Sequence, residues 1–288
     1  MTEKVLQVNG IELWTEDFGD PADPAVLLIM GAESQGTAWP IPLIEQLYDA
    51  GRYVIRYDNR DVGQSTCFDF AASPYSLNDM MDDAIGILDA YGIERAHVVG
   101  ASMGGMITQL LMIHHPERLL SATVIMSTPL AGNPDEGGIP QLFDATLPLG
   151  PFMDQIRTLM LAEPPKSRDA YVELRVKAFA MLSDPSNVDL DLLRAFFQLE
   201  YDRARDITAK VNHSFAIART EPWDRRPLLA TCTTPTTVIH GENDPSLPMV
   251  HGKAVADAVP GAKLVTVPNM GHDLPGHSWP IIVDAVSG

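Results

Sequence analysis

Cysteine is nearly absent from this 288-residue chain. Only Cys67 and Cys232 occur, far apart and in no paired spacing, which excludes a disulfide framework and the close ligand spacing of a zinc site. Positive charge is also scarce: 20 Lys and Arg stand against 38 Asp and Glu, a formal net charge of -18, so a polyanion or an anionic membrane would meet a repelling surface. No apolar run approaches the ~18 residues of a membrane span. The start, Met1-Thr2-Glu3-Lys4, lacks the basic head and the apolar segment of a secretory signal. These absences lead us to expect a cytoplasmic protein with neither nucleic acid nor membrane as partner. With 45% hydrophobic and 20% charged residues, the chain has ample material for a sizeable core.

Val5-Leu6-Gln7-Val8 and Ile11 to Thr15 flank Asn9-Gly10, the dipeptide that best supports a two-residue hairpin turn, so an antiparallel hairpin opens the chain. Ala25 to Met30 is a continuous apolar run of the kind buried on both faces of a parallel sheet, and it ends at Gly31-Ala32. Helical patterns at Ile41 to Ala50, Leu77 to Tyr91 and Met103 to His114 alternate with strand patterns at Tyr53 to Tyr57, Ala96 to Val99 and Ala122 to Met126. Strand and helix in this rhythm predict a mostly parallel central sheet covered on both faces. The rhythm breaks near residue 129. Pro129, Pro134, Pro140, Pro148 and Pro151 punctuate a stretch without buried strands, followed by helical patterns at Arg168 to Leu182 and Asp189 to Arg205. It resumes with strands at Thr236 to Ile239 and Lys263 to Val267, and with helices at Val250 to Val259 and near Trp279 to Val286. The expected organisation is an α/β core at 1–128 and 227–288, with a helical lid inserted at 129–226.

Ligands of an open α/β sheet gather at the carboxyl ends of its strands. Three reactive groups fall there in chain order. Ser102 lies in Gly100-Ala101-Ser102-Met103-Gly104, a G-x-S-x-G sequence between a strand and a helix; Asp244 follows one late strand in His240-Gly241-Glu242-Asn243-Asp244-Pro245; His272 follows the last in Asn269-Met270-Gly271-His272. A serine hydroxyl is a weak nucleophile and needs a base to take its proton, which His272 supplies, while Asp244 fixes the tautomer of the imidazole and stabilises its charged form. The oxyanion needs two main-chain donors: the N–H of Met103, just after the serine, and one from the loop after an early strand, assigned to Ala32 because Gly31 lets that loop turn tightly. Glu242 is the alternative acid, and His251 or His277 the alternative base. His114-His115 is expected to close a helix, and Asp58 and Arg60 to brace loops. Phe143, Met153, Phe196, Phe197 and Tyr201 are candidates either for lining a pocket or for packing the lid.

The elbow around Ser102, the Asp244 and His272 loops, and Tyr57-Asp58-Asn59-Arg60-Asp61-Val62-Gly63-Gln64-Ser65 together resemble the α/β-hydrolase superfamily over nearly the whole chain outside the lid. Asp17 to Pro24, Met30-Gly31 and His251-Gly252-Lys253 resemble its aclacinomycin methylesterase-like branch. That resemblance implies a serine hydrolase that cleaves a carboxylic ester, such as a methyl ester, of a hydrophobic small molecule through an acyl-enzyme, with no metal or organic cofactor. Lactone opening, perhydrolysis and small-ligand reception share the same motifs. The sequence departs from many relatives at Met30, where they carry a histidine before the glycine.

Overall fold

Asn9 and Gly10 both adopt positive φ, 50° and 82°, the backbone that a two-residue turn between twisted strands requires. They join β1 (Thr2–Val8) to β2 (Ile11–Phe18) with Val8 opposite Ile11. The structure is a computed structural model and describes residues 1–130, 147–150, 158, 165 and 167–287. The remaining strands are β3 (Ala25–Ile29), β4 (Tyr53–Tyr57), β5 (Ala96–Ala101), β6 (Leu119–Ile125), β7 (Thr236–Gly241) and β8 (Lys263–Val267). They form one eight-stranded sheet in the order β1-β2-β4-β3-β5-β6-β7-β8. The β1–β2 and β2–β4 pairings are antiparallel and all others parallel.

Every residue of β3, β4 and β5 is buried, as expected for strands covered on both faces. Side chains alternate between the faces, so Leu27, Ile29 and Val98 pack with α2 (Leu77–Ala90) and α3 (Met103–His114), while Val26, Leu28 and Val99 pack with α1 (Ile41–Asp49). Each such aliphatic side chain contributes about 1.5–3 kcal/mol by leaving water. Ser76 caps α2 through Asn78 N–H, and Asp79 returns a bond to the Ser76 N–H, completing a capping box.

Between β6 and β7 the described elements are helical: α4 (Arg168–Leu182), α5 (Leu190–Arg203), α6 (Asn212–Ala218) and α7 (Arg226–Leu229). Leu130 bridges to Asp224, and the buried Arg225 donates to the carbonyls of Thr128 and Leu130, so the described ends of this stretch are tied together. After β7 come α8 (Val250–Ala258) and α9 (Trp279–Ala285). The expected positions agree with these elements to within a few residues. The largest differences are three residues: β1 starts at Thr2, β2 runs on to Phe18, and β6 starts at Leu119, which pairs with Ala96 ahead of an irregularity in register. Patterning missed α6 and α7, which at seven and four residues are too short to propagate alone and are held by tertiary contacts. Pro134, Pro140, Phe143, Pro151 and Met153 lie outside the described residues. No helix among those described is long and apolar enough to cross a membrane.

Candidate active site

Ser102 sits between β5 and α3 with φ 54° and ψ -116°, a backbone that L-residues rarely adopt and that costs about 1–3 kcal/mol unless the surroundings enforce it. Close packing enforces it here. A Cβ on Gly100 would come within 2.1 Å of the Gly104 carbonyl oxygen, one on Gly104 within 2.0 Å of the Ile29 carbonyl oxygen, and one on Gly31 within 3.1 Å of Ser102 Cβ. Main chain therefore approaches main chain at Gly100 and Gly104, and Gly31 packs against the serine itself. Ser102 N–H donates to Ile125 O at 2.9 Å, and Ser127 Oγ–H donates to Ser102 O at 2.7 Å. The Ser102 side chain makes no capping bond to α3, although it occupies the cap position.

Its hydroxyl instead faces His272. Ser102 Oγ lies 3.0 Å from His272 Nε2, and His272 Nδ1 lies 2.8 Å from Asp244 Oδ2. A carboxylate only accepts, so Nδ1 carries the proton and Nε2 of the neutral ring presents a lone pair to the serine. The other Asp244 oxygen accepts from the N–H groups of Ser246 and Leu247, both at 2.8 Å. Burial opposes charge on the His272 ring, but the Asp244 carboxylate, its hydrogen bond and the charge of Asp273 outweigh it and raise the pKa above the usual imidazole value. Burial likewise favours protonation of Asp244, yet His272, His240 and the Leu247 N–H bring its pKa below the usual carboxylate value.

The alternatives lie elsewhere. Glu242 is exposed. His251 uses both ring nitrogens, with Thr128 Oγ1 at 2.9 Å and Pro148 O at 3.1 Å. His277 Nε2 donates to Pro268 O. His114 ends α3 and His115 caps it. Asp58 accepts from Gly36 and Gln64 N–H, and Arg60 pairs with Asp83, so both residues brace loops. Phe197 is fully buried and packs with Tyr171, Val172 and Val176 between α4 and α5; Phe196 lies against Phe197, and Tyr201 against Tyr171. Phe197, against Phe179, and Tyr201, against Tyr171, hold the two helices together. Cys67 and Cys232 are free thiols.

Ala32, expected from the sequence as the second oxyanion donor, lies in the loop after β3. Gly31 abuts Ser102, Ala32 follows it, and Met103 is the first residue of α3. Positive partial charge at that helix N-terminus suits a developing anion.

The alpha/beta hydrolase fold family model matches residues 24–275. The chain belongs to the α/β-hydrolase fold family. Rhodomycin D methylesterase DauP of Streptomyces sp. (strain C5) is 35% identical to it, over 96% of this chain and 93% of that protein. Rhodomycin D methylesterase DnrP of Streptomyces peucetius is 34% identical over the same shares. The resemblance to the methylesterase branch thus runs the length of the chain. Among solved structures, the esterase RhEst1 from Rhodococcus sp. ECU1013 shares the fold with TM-score 0.78 at 18% identity, covering 100% of this chain and 99% of that one. A hydrolase from Pseudomonas aeruginosa PA01 matches with TM-score 0.74 at 24% identity, covering 99% and 96%.

This hydrolase-fold chain also carries a polar cluster that sequence reasoning missed. Arg175 Nη1 lies 3.2 Å from Glu33 Oε2, Arg175 Nε 3.5 Å from Glu200 Oε1, and Lys210 Nζ 3.9 Å from Glu33 Oε2. Lys210 also donates to Tyr171 OH at 2.7 Å, and Tyr171 bonds Glu200. Burial, with Arg175 nearby, brings the Lys210 pKa down to about 8. His213 completes the group: Glu33 N–H donates to its Nδ1 at 2.8 Å, so its Nε2–H is the donor to Arg60 O at 2.6 Å. No local motif links residues 33, 171, 175, 200, 210 and 213, and single charged residues in helices ordinarily read as a solvated face.

Proposed function

We propose that the chain is a carboxylic-ester hydrolase working through an acyl-enzyme, with Ser102 as nucleophile, His272 as general base and Asp244 as the acid that orients it. The row of contacts from Ser102 Oγ through His272 to Asp244 carries this reading. Ser102 Oγ attacks the ester carbonyl as His272 Nε2 takes its proton, and the oxyanion is held by the N–H groups of Met103 and Ala32. The imidazolium then protonates the departing alkoxide. Water, deprotonated by the same ring, releases the acid and frees the serine.

The substrate is the methyl ester of a hydrophobic small molecule, a reading supported by the full-length similarity to two methylesterases. The 129–226 segment is the lid in this proposal: its helices exclude water and supply apolar area, and it selects the acyl group. Peptide amides are poor substrates, because expelling an amine demands more of the acid step.

A fluorophosphonate probe with peptide mapping tests the nucleophile, and labelling at a serine other than Ser102 overturns the assignment. A panel of methyl, ethyl and bulky-alcohol esters of small and polycyclic acids, with lactones and peptide amides beside them, tests the substrate class. Faster cleavage of amides or lactones than of every ester would overturn it.

A further inference from the structure

Two loops of the proposed site are fastened to the same helix of the insertion. Near the middle of α4, Arg175 pairs with the Glu33 side chain, and Glu33 directly follows Ala32. At its end, Leu182 O accepts the His272 N–H at 2.7 Å, and a Cβ on Gly271 would come within 2.4 Å of that same carbonyl oxygen. Asn243 Nδ2 also donates to Asp184 Oδ2, just past α4, at 2.6 Å. Arg175 and Leu182 are separated by seven residues, about 10 Å of helix.

We infer that α4 is a strut that sets the oxyanion loop against the histidine loop, and that Glu33 and Arg175 are positioning residues for the Ala32 N–H. This rests on the ester-hydrolase reading above. Glu33 is a residue for which position matters: its φ is 61°, its N–H is committed to His213, and its carboxylate is 11% exposed and faced by two cations. Two residues on, Gln35 Nε2 donates to Glu200 O at 2.7 Å, and Gly36 N–H donates to Asp58 at 2.8 Å. The loop from Gly31 to Gly36 is thus gripped at residues 33, 35 and 36. Ahead of these, Gly31 packs closely against Ser102, and its carbonyl accepts a long bond from Ser34 N–H at 3.4 Å. Rotation at Glu33 would turn the Ala32–Glu33 peptide and, through the Ala32 Cα, tilt the neighbouring Gly31–Ala32 peptide, whose Ala32 N–H would leave the position the oxyanion occupies. Neither Glu33 nor Arg175 exchanges a proton with substrate in this scheme. Their effect falls on charge stabilisation in the transition state, where a donor displaced by a fraction of an ångström loses much of its value.

The test compares the full-length wild type with Arg175→Met, Arg175→Lys and Glu33→Gln. For each, kcat and KM on a methyl ester are measured beside the inhibition constants of two ligands of the same acyl group. One is a trifluoromethyl ketone, whose adduct with the serine places an anionic oxygen in the hole; the other is the unreactive amide. Arg175→Met is expected to lower kcat by about 10- to 100-fold, less than the loss on deleting an oxyanion donor, with KM and amide affinity nearly unchanged. The trifluoromethyl ketone should weaken in step with kcat/KM, and Arg175→Lys should recover part of both. Glu33→Gln keeps the Glu33 backbone bond to His213 and should show the same split at smaller size, so the inference stays testable if Arg175→Met does not fold. Losses confined to KM, or ketone and amide affinities that fall equally, overturn the strut. Wild type that cleaves no ester and takes up no fluorophosphonate overturns the ester-hydrolase reading and the strut with it, whereas normal wild-type turnover with unmoved variants overturns the strut alone.

Discussion

The proposed site has two sides, and they are built by different means. On the sheet side, Ser102 is held by glycines and main-chain bonds: Gly100 and Gly104 leave no room for a side chain, Gly31 packs tightly against the serine, and Ile125 O receives the Ser102 N–H. On the insertion side, α4 and α5 are joined by buried aromatics around Phe197; Arg175 of α4 and Lys210 pair with Glu33 of the loop after β3, and Glu200 of α5 accepts from Gln35 through its carbonyl. Main-chain packing tolerates almost no change in shape. Buried ion pairs tolerate shape changes better but penalise removal of one partner, because the other is left charged and unpaired. Mutations on the sheet side should therefore strike the chemistry itself, and mutations on the insertion side should strike positioning and selectivity.

Ser102→Ala gives the largest expected effect: ester turnover and fluorophosphonate labelling both vanish while the unfolding midpoint holds. Retained turnover would move the chemistry away from the elbow. Asp244→Asn follows, with a loss of about 10⁴ in kcat as in the analogous protease case. It also carries a pH signature. His272 must be neutral to act as base, and Asp244 raises its pKa, so the acid limb of kcat/KM in the wild type should lie above the free-imidazole value of about 6.5. Removing the carboxylate charge leaves burial, which lowers the pKa, so the limb of Asp244→Asn should move to lower pH. A limb that stays in place would take Asp244 out of the base's electrostatics.

Gly104→Ala should come next, since its Cβ would meet the Ile29 carbonyl oxygen at 2.0 Å and main chain must shift. A cost of about 1–3 kcal/mol in urea unfolding is expected, with slower labelling of Ser102. Phe197→Ala tests the other side. Truncating this fully buried ring should cost about 3–5 kcal/mol, felt in the α4–α5 pair, and should change the ranking of acyl groups more than the rate on a small methyl ester. Hydrogen exchange would show lost protection in α4 and α5 with β3, β5 and β6 unchanged; equal loss in the strands would erase the distinction between the two sides. Glu242→Gln should change nothing measurable in turnover, because the side chain is exposed and it is Asp244 that meets His272 Nδ1.

Much of the sheet side was legible beforehand because its determinants are local in sequence. The six-residue apolar run Ala25 to Met30 marks β3, Ala96 to Val99 marks β5, Asn9-Gly10 marks the hairpin, and a serine between two glycines at a strand-to-helix junction marks the elbow. Asp244 and His272 are far apart in the chain, but each follows a readable strand, so topology alone puts them on one edge of the sheet. Aromatic residues of the insertion left two readings open, and only packing decided that Phe197 and Tyr201 join α4 to α5.

What the sequence by itself determined is the α/β order, the turn that exposes Ser102, and the strand ends that bear Asp244 and His272, since each follows from periodicity or from a residue's own backbone limits. What only the tertiary structure decided is the partnership of Glu33 with Arg175, of Glu200 with Tyr171, and of Leu182 with the backbone of His272. Those contacts join segments separated by up to 142 residues, and a lone charge or carbonyl carries no local mark of a partner that only folding brings within reach.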